Sequence, residues 1–98
     1  MCYTLWVIIE WDTAKALANI DKHGLNFEIA ESLFTVGRLI AYPDMRKEYG
    51  ELRMIGLGML RGRCLCVVFT MREGAVRIVS LRKANKREKA KFKKAWGV

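Results

Sequence analysis

The feature that most constrains the fold is a run of three strand-like segments separated by two very short turns. The segments are Leu52 to Leu60, Cys64 to Met71 and Ala75 to Leu81, and large apolar residues dominate each of them. The dipeptides between them, Arg61-Gly62 and Glu73-Gly74, are of the kind that closes two-residue hairpins. Because such turns leave no room for a crossover, the three segments predict an antiparallel meander.

Two further strands and two short helices are predicted before the meander. Leu5 to Glu10 is typical of a first strand, and Arg38 to Tyr42 of a second strand that Pro43-Asp44 closes. Between them, Asp12 and Asn26 are placed to N-cap two helices. Gly24 and Gly37 are placed to end those helices. Helical spacing assigns Ala14, Leu17 and Ala18 to the apolar side of the first helix, and Ala30, Leu33 and Phe34 to that of the second.

A third helix is predicted at the carboxyl end of the chain. Asn85 and Glu88 stand at the N-cap and N3 spacing of a capping box. Phe92, Ala95 and Trp96 follow on one side of this helix, so we expect that side to pack on the sheet. The element order β-α-α-β-β-β-β-α predicts an α+β fold, with an antiparallel sheet, two N-terminal helices and a basic C-terminal helix. A length of 98 residues fits one domain spanning residues 1–98.

The charge is concentrated at one end of the chain. The whole sequence carries +8, and the segment Arg82 to Lys94 holds eight basic residues against Glu88 alone. Such a basic end predicts a polyanionic partner, above all nucleic acid, although a solubilising surface helix explains it equally well. The longest apolar runs are too short for a membrane span of about 20 residues, and no secretory signal is recognised. We therefore expect a soluble cytoplasmic protein.

The cysteines predict neither a disulfide framework nor a metal centre. Cys64 and Cys66 stand two apart in a strand, so they share a face and are expected to be buried, reduced thiols. With one histidine in the chain, the set falls short of a zinc site. We expect no metal and no cofactor.

Two groups of cations are the candidates for chemistry. His23 follows Lys22 at the end of the first helix, where the helix carbonyls favour an imidazolium. The alternative for His23 is a capping role. Arg53 begins one strand of the meander and Arg82 ends another, which suits bidentate phosphate binding. Their alternative is a surface ion pair with Glu51 or Glu48. Strict alternation places Ile78, Ser80 and Arg82 on one face of the last strand, and Arg77, Val79 and Leu81 on the other.

An ordered series of motifs in this chain resembles the BrnT family of toxins from bacterial toxin–antitoxin pairs. The resemblance covers about residues 9–94, and its most specific parts are the Lys-His-Gly and Ser-x-Arg-x-Ala segments. The series comprises Glu10-Trp11-Asp12, Lys15, Asn19-x-x-Lys22-His23-Gly24-Leu25-x-Phe27, Glu28-x-Ala30, Tyr49-Gly50-Glu51-x-Arg53, Leu57-Gly58, Ile78-Val79-Ser80-Leu81-Arg82-Lys83-Ala84 and Lys86-Arg87-Glu88.

The resemblance implies a RelE-like ribonuclease that cleaves mRNA, inhibits translation and is neutralised by a cognate antitoxin. In this family the antitoxin is usually a small ribbon-helix-helix protein (BrnA-like) that binds operator DNA within a hetero-oligomeric complex. Metal-independent cleavage by the ribose 2′-OH needs a base, an acid and cations for the charge on phosphorus. The candidate catalytic residues are then Lys22, His23, Arg53 and Arg82, and the candidate RNA-binding residues are Tyr49, Lys83, Lys86 and Lys89. The alternative is a non-catalytic basic module that binds nucleic acid or a partner within a repressor complex.

Overall fold

A computed structural model describes residues 8–35, 38–45 and 50–96 of the chain. The order of elements along the described residues is the predicted one. The strands are β1 (Ile8–Trp11), β2 (Arg38–Pro43), β3 (Arg53–Leu60), β4 (Arg63–Arg72) and β5 (Ala75–Lys83), and the helices are α1 (Thr13–His23), α2 (Phe27–Thr35) and α3 (Lys86–Trp96). The first three residues of the predicted first strand, and Gly37, lie outside the described residues.

The five strands form one sheet in the order β1-β5-β4-β3-β2. Strands β2 to β5 pair antiparallel as predicted, but β1 pairs with β5 in parallel. The prediction of an antiparallel sheet is therefore wrong at this edge. The whole chain between β1 and β5 serves as the crossover that a parallel pair requires, so no short turn fixes the direction of β1.

Both hairpin turns of the meander adopt the expected backbone geometry. The φ angles are 51° and 77° at Arg61 and Gly62, and 50° and 81° at Glu73 and Gly74. Two consecutive left-handed residues define the type I′ turn, whose twist matches that of the flanking strands. The turns set the register in which Leu60 pairs with Arg63.

The two faces of the sheet carry two separate apolar clusters. Helices α1 and α2 cover one face, where Phe27, Leu33 and Ala30 are fully buried. Helix α3 packs on part of the other face through Phe92, which is 1% exposed. Cys64 and Cys66 belong to this second cluster as buried free thiols, as predicted. The sheet lies between the two clusters, so it separates the residues packed under α3 from those packed under α1 and α2.

Helix α1 begins and ends where predicted, but the Asp12 side chain makes no capping hydrogen bond, and the helix packs through a different side. Gly24 is left-handed (φ 70°), and its N–H donates to the Ile20 carbonyl at 2.8 Å. The buried residues are Ala16 and Asn19, whereas Leu17 is 62% exposed, so the predicted apolar side is wrong. The helix approaches β5 through a small residue and a hydrogen-bonded amide, and this close approach leaves the larger Leu17 on the outside.

Helix α3 is fixed at both of its ends. At its start, the Glu88 N–H donates to Asn85 Oδ1 (2.8 Å) and the Asn85 N–H donates to Glu88 Oε1 (2.9 Å), which confirms the capping box. Further along, Lys91 lies 4.1 Å from the ring centre of Tyr42, and the Arg38 guanidinium lies 5.7 Å from that of Trp96. Of the predicted packing side, Phe92 is buried, while Ala95 and Trp96 are exposed.

A β-bulge in β5 changes which residues share a face. Phe69 pairs with Ile78, but the preceding Val68 pairs with Ser80, so Val79 is the extra residue. Ile78 and Leu81 consequently point to the same cluster, under α1 and α2. The prediction that Ile78 shares a face with Arg82 is therefore wrong, because strict alternation fails across a bulge. The bulge brings Arg77 to the face that carries Arg82.

No helix in the described part of the chain is long and apolar enough to cross a membrane.

Candidate active site

Two arginines flank a buried threonine in one cross-strand row of the sheet. Arg53 of β3 pairs with Thr70 of β4, and Thr70 pairs with Arg77 of β5. Because neighbouring strands are about 4.8 Å apart, the Cα atoms of the two arginines lie about 10 Å apart. The row continues to Glu10 of β1. We call this face, with Arg53, Thr70, Arg77, Ser80 and Arg82, the arginine face.

Each of the two arginines of this row has a partly exposed glutamate nearby. Arg53 Nε lies 3.6 Å from Glu51 Oε1, and Arg77 Nη1 lies 3.4 Å from Glu10 Oε1. Both glutamate side chains are about 40% exposed, so water screens these pairs and they contribute little to stability. At Arg77 an anionic ligand can replace the Glu10 carboxylate at small cost. The Glu51 pair was the alternative considered for Arg53, and it is present.

Arg82, in contrast, is held tightly by Glu88. Its Nη1 and Nη2 atoms donate to the two carboxylate oxygens at 2.7 and 2.8 Å, a bidentate pair. The Glu88 side chain is only 13% exposed. Since Glu88 is also the N3 residue of the capping box, this pair ties the first turn of α3 to the end of β5.

The environment of Glu88 favours its charged form. The hydrogen bonds from Arg82 lower the pKa of Glu88 most, although partial burial opposes them. The bond from the Asn85 N–H and the Cys66 thiol lower it further. Burial itself raises the pKa of the neighbouring Cys64 thiol, which is thereby kept protonated. Glu88 is thus a fixed anion that orients its neighbours.

A cleft of about 450 Å³ opens between the first turns of α3 and the strands β2 and β3. We call it the α3 cleft; its charged and polar lining consists of Tyr42, Asp44, Arg82, Asn85, Arg87, Glu88 and Lys91. The Asp44 N–H donates to the Arg53 carbonyl at 2.8 Å. Ile55 of the lining is two residues from Arg53 along β3 and on the same face. The cleft therefore borders the arginine face and is wide enough for a nucleotide.

Asn19 connects the end of α1 to β5. Its side-chain N–H groups donate to the carbonyls of Leu25 (3.0 Å) and Leu81 (2.9 Å), and its Oδ1 accepts from the Leu81 N–H (3.1 Å). The residue is 6% exposed, so the three bonds satisfy a buried amide and buried backbone groups together. β1 pairs only with residues 75–78 of β5, and Asn19 bonds the strand edge beyond that point.

Lys22 and His23 lie beside this junction. Together with Lys15, Asn19 and residues 79–80 of the bulge they line a shallow groove at the edge of the sheet, which we call the α1 groove. Ser80 contributes to this groove, and Arg82, two residues further, contributes to the α3 cleft. The structure therefore places Lys22 and His23 at the same stretch of β5 as Arg82, but in a separate depression.

The candidate RNA-binding lysines lie around α3. Lys83 and Lys89 line a third depression between α3 and the β3–β4 turn, and Lys86 is exposed in the first turn of the helix. Tyr49 lies outside the described residues.

Three residues of the site were missed at the sequence level. Arg77 lies on the arginine face because of the bulge, and Thr70 lies between the two arginines because of the strand register. Both features depend on contacts with residues distant in the sequence. Asn19 stood in the motif series without a role, and its burial beside Ala16 depends on the contact with β5.

The fold and site define a small basic α+β domain with a cation-lined sheet face beside a cleft. Residues 11–88 match the model of the BrnT family, described as the ribonuclease toxin of a type II toxin–antitoxin system. The chain belongs to this family. Membership implies RNA as the substrate and an antitoxin as the partner. No curated protein matches the chain at a significant level.

Proposed function

We propose that the protein is an endoribonuclease that cleaves RNA on its arginine face by attack of the ribose 2′-OH, without a metal ion. The observation that carries this proposal is the row of Arg53, Thr70 and Arg77 beside the α3 cleft. Two arginines whose Cα atoms lie about 10 Å apart on one face can both reach a phosphodiester bound between them.

The proposed reaction forms one bond and breaks one. The 2′-oxygen attacks phosphorus, its proton passes to a base, and the bond from phosphorus to the 5′-oxygen breaks as that oxygen gains a proton. The products are a 2′,3′-cyclic phosphate and a 5′-hydroxyl. In the transition state negative charge accumulates on the non-bridging oxygens, where fixed cations lower the barrier.

The catalytic roles are assigned by the position of each cation. Arg53 and Arg77, which flank Thr70, bind the phosphate and neutralise the charge of the transition state. Arg82 is bound to Glu88 in the free protein, so it acts first as a positioning residue for α3 and the cleft. Lys22 and His23 transfer protons or contact phosphate from the α1 groove.

The remaining roles concern binding and regulation. Lys83, Lys86 and Lys89 hold the RNA backbone, and Tyr49 stacks on a base or donates a proton. The fold is RelE-like, cleavage of mRNA stops translation, and a ribbon-helix-helix antitoxin neutralises the toxin and binds operator DNA in the joint complex. The charge distribution and the family membership support these proposals.

The test is cleavage of a single-stranded or ribosome-bound RNA by the purified chain in the presence of EDTA. We expect 2′,3′-cyclic phosphate ends, and we expect Arg53→Ala to lower the cleavage rate about 10²–10³-fold, as loss of one such contact does. The matched control is Arg61→Asn, which removes one arginine from an exposed left-handed turn position that asparagine tolerates.

The controls separate the steps of the proposal. A pH–rate profile of His23→Ala loses one titration step if His23 transfers a proton, and keeps its shape if His23 only positions RNA. Loss of cleavage with EDTA, or full activity of Arg53→Ala, would contradict the proposed site. The non-catalytic binding module would then be the better description.

A further inference from the structure

The depression that Lys83 and Lys89 line lies on the opposite side of α3 from the α3 cleft. Arg87 and Lys91 of the helix line the cleft, whereas Lys89 and Lys93 line this depression. It has a volume of about 330 Å³ and opens between α3, the β3–β4 turn and the end of β5. We call it the lysine pocket.

The rim of the lysine pocket is cationic throughout its described lining. Arg63 comes from the start of β4, Lys83 from the end of β5, and Lys89 and Lys93 from successive turns of α3. No aspartate or glutamate is among the described residues that line it. Four cations gathered from three elements produce a strongly positive local potential, which selects an anionic ligand.

The floor of the pocket is apolar and indicates which kind of anion fits. Met59, Cys64 and Phe92 form it. Phe92 is 1% exposed, so its ring offers no free face on which a nucleobase could stack. The part of the floor that stays open is the half-buried Met59, which suits an aliphatic side chain, because such a side chain gains by leaving water. A cationic rim over an apolar floor therefore favours a protein segment that carries carboxylates around one aliphatic residue.

We propose that the lysine pocket binds an acidic segment of the antitoxin, with one aliphatic side chain on the floor and carboxylates on the rim. This inference rests on the proposed toxin function, since it gives that function its inhibitor surface. The bound carboxylates would neutralise Lys83 and Lys89, which the RNA backbone needs, so inhibition requires no conformational change. Phe92, Lys89 and Lys93 lie beyond the family match at residues 11–88, so the pocket depends on this chain's own α3.

The test compares two double variants of the full chain for affinity to the cognate antitoxin. The pocket variant is Arg63→Glu with Lys93→Glu, two exposed rim positions. The matched control is Arg61→Glu with Lys94→Glu. It changes the net charge by the same amount as the pocket variant, through one residue of the β3–β4 turn and one residue of α3. Glutamate fits position 61, because Glu73 occupies the equivalent left-handed position of the other turn (φ 50° against 51°).

We expect the pocket variant to weaken antitoxin binding about tenfold or more at physiological salt, and the control to weaken it about threefold or less. Equal weakening in both variants would overturn the proposal, because net charge alone would explain it. Unchanged antitoxin affinity with reduced RNA cleavage would also overturn it and make the pocket an RNA subsite. Absence of RNA cleavage by the unmodified chain would contradict the proposed function, while the comparison of antitoxin affinities would still decide the role of the pocket.

Discussion

At the scale of single residues, Glu88 shows how one side chain joins capping, packing and the site. It accepts hydrogen bonds from the Arg82 guanidinium and the Asn85 backbone, and the Cys66 thiol adds another. From the sequence, Glu88 was assigned to the capping box, and Arg82 to phosphate binding or to an ion pair with Glu51 or Glu48, not with Glu88. The pair between them cannot be read from either motif, because it depends on how α3 folds back over β5.

Glu88 gives the stability of the protein a defined pH dependence. Because its partners lower the folded-state pKa below the ordinary value of 4.5, the stabilisation is complete above about pH 4.5. It is lost as the pH falls through the lower folded-state value.

Glu88→Gln should therefore cost about 1 kcal/mol near pH 7, and this difference should shrink as the medium is acidified. Melting temperatures of both proteins across the acid range measure this, with Glu73→Gln in the exposed β4–β5 turn as the control. A deficit that stays constant down to pH 3 would contradict the role of the charge.

At the scale of elements, local signals were sufficient for some features of the fold and insufficient for others. The I′ turns, the Asn26 cap (Glu28 N–H to Asn26 Oδ1, 3.0 Å) and the capping box of α3 all follow from residues a few positions apart. The bulge at Val79 and the packing side of α1 follow from contacts across the sheet. Of the arginine face, the sequence therefore indicated Arg53, Ser80 and Arg82, whereas Arg77 was assigned to the wrong side.

The packing of α3 on the sheet is carried mainly by one aromatic residue. Phe92→Ala leaves a cavity over Leu57 and Cys66, so we expect a loss of about 3–5 kcal/mol of unfolding free energy. Trp96 is 43% exposed and makes a cation–π contact with Arg38, so Trp96→Ala should cost only about 0.5–1 kcal/mol. Chemical denaturation of the two variants gives both values. Equal losses would show that α3 is not anchored through Phe92.

At the scale of the whole molecule, α3 divides one face of the sheet into two cationic surfaces. The α3 cleft borders the arginine face on one side, and the lysine pocket lies on the other. The basic residues of segment 82–94, which are close together in the sequence, therefore line two separate surfaces in the structure. The sequence shows the charge but not on which side of α3 each lysine lies. For this reason the charge alone supported a solubilising helix and a polyanion-binding surface equally well.

If these surfaces bind RNA through its backbone, the affinity must depend steeply on salt. For single-stranded nucleic acid each neutralised phosphate contributes about −0.7 to the slope of log affinity against log salt.

With a non-cleavable RNA, we expect Lys83→Ala, Lys86→Ala and Lys89→Ala each to make the slope less negative by about 0.7. Arg61→Asn, which lines neither the α3 cleft nor the lysine pocket, should leave the slope close to that of the unmodified chain. The measurement is equilibrium binding between about 50 and 200 mM salt, a range over which several phosphate contacts change the affinity by orders of magnitude. If Arg61→Asn reduces the slope as much as the lysine variants do, the RNA responds to net charge and not to a defined surface around α3.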